Sequence, residues 1–179
     1  MGGTIFIAGV YGTGKSTLCN KLSAVLKMPF FSAGDLISEI NQETYGANKV
    51  VADKDKNQIL LSNKVHALNL SHKRIILAGH FCIFNAFNLP EPLPESVFEN
   101  LNIKHIILLE ADAFVIIQNL KQRDLKDYAI ESIKALISCE REQYDKVSAR
   151  LNCPSSIYQM TFSDKDCQRV CEIITREGN

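Results

Sequence analysis

Residues 9–16 read Gly-Val-Tyr-Gly-Thr-Gly-Lys-Ser, a glycine followed after four positions by a Gly-Lys-Ser triplet. This is the spacing that wraps a chain around a phosphate group. Gly9, Gly12 and Gly14 can adopt the turns that point backbone N–H groups at an anion. Tyr11, Thr13 and Thr17 fill out the cradle. A helix starting after it would add the partial positive charge of its N-terminus. Lys15 is placed to reach β and γ phosphates, and the Ser16 hydroxyl is a Mg²⁺ ligand in such loops. The motif therefore predicts binding of a nucleoside triphosphate, ATP or GTP, with Mg²⁺, and leaves the reaction open.

Other residues could act on a transferring phosphoryl group. Arg123 ends a helical stretch before a turn. It is either a cation over the γ-phosphate or a surface charge favoured at a helix C-terminus. Arg141 lies four after Ile137 and three before Tyr144, on an apolar stripe. A charge there needs a partner, and phosphate, Glu110 and Asp112 are the alternatives. Asp35 could accept a proton from a hydroxyl or hold a Mg²⁺ water, or it could cap a helix. His80 follows a strand and could touch an acceptor or bond within a loop. Lys49, Lys54 and Lys56 are cations of the segment after the second strand, the last two in a charge run, Asp53–Lys56, typical of a solvated face.

Positioning these groups requires alternating strands and helices. Strands are expected at Thr4–Ala8, Pro29–Ala33, Arg74–Ala78, His105–Leu109 and Ser155–Thr161. Their near-continuous apolar runs suit parallel strands covered on both faces. Helices are expected from Ser16 to Leu26, Gly34 to about Asn41, from Asp53 onward, Asp112 to about Asp124, and Asp127 to Leu151. Ser163 with Asp166 suggests a capping box opening a last helix. Residues 42–52 read as a polar loop. Pro90, Pro92 and Pro94 punctuate another, with a short helix starting at Pro94. The pattern predicts one α/β domain over residues 1–179, with a five-stranded parallel sheet and the ligand at the carboxyl ends of the strands.

The 179 residues are 46% hydrophobic with zero formal net charge, so nothing marks a nucleic-acid-binding surface. No apolar run reaches a membrane span. The first strand is expected almost at once, so no signal peptide is expected. Six cysteines form no C-x-x-C pair, and reduced thiols in a cytoplasmic protein are expected. Cys167 and Cys171 are four apart on a helix, as inward small side chains or half of a zinc site.

Taken in order, GVYGTGKST, FFSAGD, a strand ending Ala-Gly-His, LPESVFENL, HIILLEAD and a helix ending QRD resemble the adenylate-kinase-like branch of small P-loop kinases. Compact archaeal-type and bacterial ATP-binding proteins are the nearest in kind. The resemblance covers nearly the whole chain. It implies a three-layer P-loop NTPase fold, an acceptor-binding segment at about 35–72 and a lid at about 121–130 near Arg123. It also implies phosphoryl transfer from Mg·ATP, with Lys15, Arg123, Arg141 and Asp35 as the catalytic candidates. Three positions depart from the pattern. Ala78 stands where a third-strand Asp is usual, Asn119 replaces the first of two arginines, and no Arg lies between the P-loop and Arg74. A nucleoside monophosphate kinase is the leading expectation. A kinase of a small hydroxylated metabolite and a low-turnover nucleotide-binding regulator are the alternatives.

Overall fold

The computed structural model of the protein describes residues 2–41 and 54–176. The expected polar loop at 42–52, with Lys49, and the expected helix start at Asp53 lie outside the described residues.

Strand β1 (Gly3–Ala8) is buried at every position. It runs between β3 (Arg74–Ala78) and β6 (Ile103–Glu110), parallel to both. β2 (Phe30–Ser32) and β7 (Ser155–Gln159) complete the edges, giving the order β2-β3-β1-β6-β7 with every neighbour parallel. A strand with no polar face needs cover on both sides. Helices α1 (Lys15–Leu26) and α7 (Lys165–Arg176) supply it as one packed pair. A second group consists of α3 (Lys54–Ser71), α4 (Glu95–Glu99) and α6 (Ile130–Leu151), with α2 (Ala33–Asn41) against α3 and α5 (Ala113–Asp124) against α6. The α/β class and the five parallel strands are as expected from the sequence.

Aromatic packing anchors the second group to the sheet. Phe6, Phe81 and Phe98 are fully buried, with ring centroids 5.4, 5.7 and 4.9 Å apart. Their tilted and edge-on arrangement matches the quadrupole of the rings. Tyr144 of α6 extends the cluster, 6.1 Å from Phe81.

Two segments depart most from the sequence expectation. Pro90–Pro92 is not a loop but strand β5, antiparallel to β4 (Cys82–Phe84). The Leu93 N–H donates to the Phe81 carbonyl at 2.8 Å. Alternation then turns the nitrogens of residues 90 and 92 outward, where a missing N–H costs no ladder bond. The turn is closed by Asn85, whose side-chain oxygen accepts from Phe87 N at 2.9 Å and Leu89 N at 3.0 Å. Helix α6 begins at Ile130 rather than Asp127, because Leu125 ends α5 in a left-handed conformation and Asp127 pairs with Lys121 at 2.7 Å.

The expected capping box is also built differently. The Ser163 hydroxyl pairs with Thr161 Oγ1 at 2.8 Å. The Asp166 carboxylate instead accepts from Tyr158 Oη at 2.8 Å, Thr161 N at 3.2 Å and Thr161 Oγ1 at 2.6 Å. Burial pushes Asp166 up, but these donors win and hold it below its ordinary value of 3.8. A depressed carboxylate stabilises the fold above the unfolded value and loses that contribution as pH falls through the folded one. Asp166→Asn should therefore cost about 2–3 kcal/mol at pH 7. In urea melts the gap between variant and wild type should shrink on acidification to about pH 3.

Candidate active site

A cleft of about 550 Å³ opens at the carboxyl ends of β1, β2 and β3. One wall is the phosphate loop. Gly12 and Gly14 take φ of 84° and 81°, the left-handed region open to glycine. A Cβ on Gly12 would also lie 2.9 Å from the Ile116 carbonyl oxygen of α5. Helix α1 starts at Lys15 with Gly14 as its cap and no side chain on its first N–H groups. No acidic residue occupies its first turn. Those donors and the helix dipole are thus left for an anion, so the residues present fit a nucleotide phosphate tail.

Lys15 is 9% exposed and lines the cleft. Its Nζ donates to the Gly9 carbonyl at 2.6 Å and the Val10 carbonyl at 2.9 Å. The loop thereby folds its own cation over the cradle. Ser16 and Thr17 are exposed at the same rim. Tyr11 lines the cleft, 4.2 Å from the His80 ring. Gly9 and Thr13 are buried beneath the loop and shape it from below, with Thr13 Oγ1 donating to the Val10 carbonyl at 2.8 Å. Among the described residues no three His, Cys, Asp or Glu gather as a metal centre. Ser16, exposed at the rim, carries a hydroxyl of the kind that holds Mg²⁺ beside phosphates in such loops.

Helix α5 lies over the loop. Asn119, found where an arginine was expected, donates to the Gly12 carbonyl at 2.9 Å. Arg123, one turn on, lines the cleft and is gripped by Asp124 through two bonds of 2.6 Å. Arg123 draws Asp124 down to about 2, and Tyr128 also donates to that carboxylate. Beside the loop, Met160, Phe162 and Cys167 line the cleft. Phe162 takes a φ of 56°, and its ring edge comes within 3.4 Å of the space over Gly14. That backbone conformation is uncommon for a bulky residue, and it presents an aromatic surface at the cleft.

Another part of the lining is largely apolar, with Ile37, Leu61, Ile83, Val97 and Leu101 drawn from α2, α3, the β4–β5 hairpin, α4 and the turn after α4. Its polar groups include Ser32, Asp35, Gln58 and His80. Asp35 does not cap its helix. Ser32 does, accepting the Asp35 N–H on Oγ at 3.3 Å, which leaves the exposed Asp35 carboxylate in the first turn of α2. Ala78 also lines the cleft, in register with Ile7 and Ser32.

Arg141 is not brought to this cleft. It pairs with Glu110 at 2.6 Å and lies 4.0 Å from Asp145, with its side chain 43% exposed. The inward residue is its neighbour. Glu140 falls on the same helical stripe as Ile133, Leu136, Tyr144 and Val147 and is 2% exposed. Sequence reasoning missed Glu140 and Phe162. The first could have been found from its seven-residue spacing to Ile133 and Val147.

The sequence matches the AAA-domain family (AAA_17) over residues 8–136. No curated protein matches it significantly. Among solved structures, a gluconokinase from Sinorhizobium meliloti 1021 is similar with a TM-score of 0.59 at 12% identity, over 97% of this chain and 92% of that one. A shikimate kinase from Bacteroides thetaiotaomicron is similar with a TM-score of 0.59 at 18% identity, over 97% and 98%. These likenesses establish a shared P-loop fold.

Because Arg141 pairs on a half-exposed surface outside the cleft, Arg141→Ala should change stability by less than about 1 kcal/mol. Its nucleotide affinity should equal that of wild type in calorimetry. A clear loss of affinity would return Arg141 to the site.

Proposed function

The chain belongs to the AAA-domain family, and from that premise we propose that it is a kinase that moves the γ-phosphoryl group of ATP to a hydroxyl of a small metabolite. One observation carries the proposal. The uncapped N-terminus of α1, with Lys15, and the exposed Asp35 at the start of α2 line a single cleft.

Phosphoryl transfer needs positioning and charge neutralisation more than covalent chemistry. The loop N–H groups and Lys15 hold the phosphate tail. Ser16 would hold Mg²⁺, which when bound neutralises charge on the phosphates. Asp35 accepts the proton of the acceptor hydroxyl as its oxygen bonds to the γ-phosphorus and the bond to the ADP oxygen breaks. Arg123, held by Asp124 at the rim, meets the charge that develops on the departing phosphates. Phe162 offers a face for the base.

Three features favour a hydroxylated acceptor over a nucleoside monophosphate. Among the described residues, the cleft's cations are Lys15, Lys21 and Arg123, all from α1 and α5 rather than the acceptor wall. The acceptor wall offers a carboxylate, which suits a hydroxyl proton and opposes a phosphate. The solved structures similar to this chain include a gluconokinase and a shikimate kinase. A low-turnover regulator is supported by one observation, the absence of a carboxylate at Ala78. We place the enzyme in the cytoplasm, as a single domain without nucleic-acid or membrane partners. Its six cysteines are free, and no helix of the described residues is long and apolar enough to cross a membrane.

The test is ADP release from Mg·ATP with polyols, sugar acids, AMP and CMP offered in turn. A hydroxylated acceptor should stimulate release many-fold over the blank. AMP or CMP as the best acceptor would restore the nucleotide-kinase reading, and tight ATP binding with no stimulation would favour the regulator. Lys15→Ala should abolish transfer and weaken Mg·ATP binding, and Lys15→Arg should not rescue it, since a planar fork does not replace a compact ammonium. Arg123→Ala should lower kcat by roughly 10²-fold with little change in ATP affinity, read by steady-state kinetics.

A further inference from the structure

Glu140 is a carboxylate with almost no solvent contact, and phosphoryl transfer as described above does not use it. Its Oε1 accepts the Gly9 N–H at 3.0 Å. The Phe81 N–H reaches both oxygens, at 3.0 and 2.9 Å, and the Cys82 N–H reaches Oε2 at 2.7 Å. Gly9 opens the phosphate loop after β1. Phe81 and Cys82 follow the Gly79-His80 pair that lines the acceptor side of the cleft. Three backbone donors from two walls of one cleft thus end on a single side chain of α6.

We propose that Glu140 is a positioning residue that locks the phosphate loop to the acceptor wall and so sets the spacing between bound nucleotide and acceptor. The kinetic consequence rests on the kinase reading, and the structural claim does not. Gly9 is held from both sides. Its N–H goes to Glu140 and its carbonyl to Lys15 Nζ. When Lys15 turns to a phosphate, the Gly9 carbonyl is released and Glu140 keeps the loop in place. An ionised carboxylate suits this task because it is acceptor-only at both oxygens. A glutamine would set an NH₂ group against one of the amides, and leaving a buried donor unpaired is costly.

The same burial makes the lock sensitive to pH. Desolvation raises the Glu140 carboxyl to about 7, against the pull of Phe81 N–H, the Lys15 charge and the Cys82 and Gly9 N–H groups. Lys15 faces it from α1. Cys82 of β4 and Cys139 of α6 feel its charge. Glu110 of β6 borders the same small cavity and is tied to Arg141 of α6. Protonation puts an O–H donor among N–H donors, so the lock loosens as pH falls through the Glu140 titration.

Two measurements test this on wild type and Glu140→Gln. Amide hydrogen exchange by NMR, without nucleotide, should be at least tenfold faster at Gly9, Phe81 and Cys82 in E140Q. Calorimetry with Mg·ADP from pH 5.5 to 8.5 should show about tenfold weaker binding in E140Q at pH 8. The part of the wild-type pH dependence centred near 7 should vanish in E140Q. Unchanged exchange at the three amides, or a wild-type affinity and pH profile in E140Q, would overturn the proposal. Should E140Q not fold, the wild type decides alone. The amide shifts of Gly9, Phe81 and Cys82 must then titrate together near neutral pH, and independent or flat curves overturn the proposal. A wild type that binds no Mg·ADP would refute the kinase reading, while the amide data still judge Glu140.

Discussion

An ionised carboxylate cut off from water survives only where donors surround it. Glu140 meets that condition with N–H groups from Gly9, Phe81 and Cys82, and the cleft depends on the result. β1 and β3 end side by side at the centre of the sheet, and their following turns diverge to opposite walls. The ladder reaches as far as the Gly79 N–H on the Ile7 carbonyl, at 3.1 Å, and Tyr11 packs on His80 beyond it. The side chain of α6 adds the hydrogen bonds that join the two turns, and α6 is in turn seated by Tyr144 against the Phe6, Phe81 and Phe98 cluster. Aromatic burial places the helix, the helix places the carboxylate, and the carboxylate places both walls.

The two walls divide the chemistry. The nucleotide side has a bare helix N-terminus, a lysine folded onto loop carbonyls and an arginine held at the rim by Asp124. The acceptor side is apolar with a carboxylate at its edge. The proposed kinase reading puts the phosphates at these cations and the acceptor hydroxyl at Asp35. Ala78 leaves the end of β3 without a carboxylate; of the two acids that line the cleft, Asp166 is engaged by Tyr158 and Thr161, and Asp35, three residues past Ser32, is exposed.

Much of this was legible before any coordinates. The phosphate loop is specific because glycine spacing, Lys15 and Ser16 act together, and the central strands are plain because a sheet covered on both faces leaves long apolar runs. The two ends of α5 were legible from Asp112 at its start and Arg123 in its last turn. The β4–β5 hairpin was hidden because Pro90 and Pro92 argue against a strand until their nitrogens are seen to face outward. Arg141 drew attention from Glu140 because one residue of helical phase separates a surface ion pair from a buried acid. Sequence logic puts acids outside, and the amides of distant segments reverse that for Glu140, whose spacing to Ile133 and Val147 is the one trace of it in the sequence. Phe162 was hidden by its left-handed backbone, which no pattern announces.

The central claim is that the phosphoryl group leaves ATP for a hydroxyl rather than for water. Phosphorus NMR of Mg·ATP turned over with the acceptor that stimulates ADP release most follows that group directly. A phosphomonoester resonance should grow in step with ADP and be absent with Lys15→Ala. Inorganic phosphate growing in step with ADP, with no ester, would contradict the account.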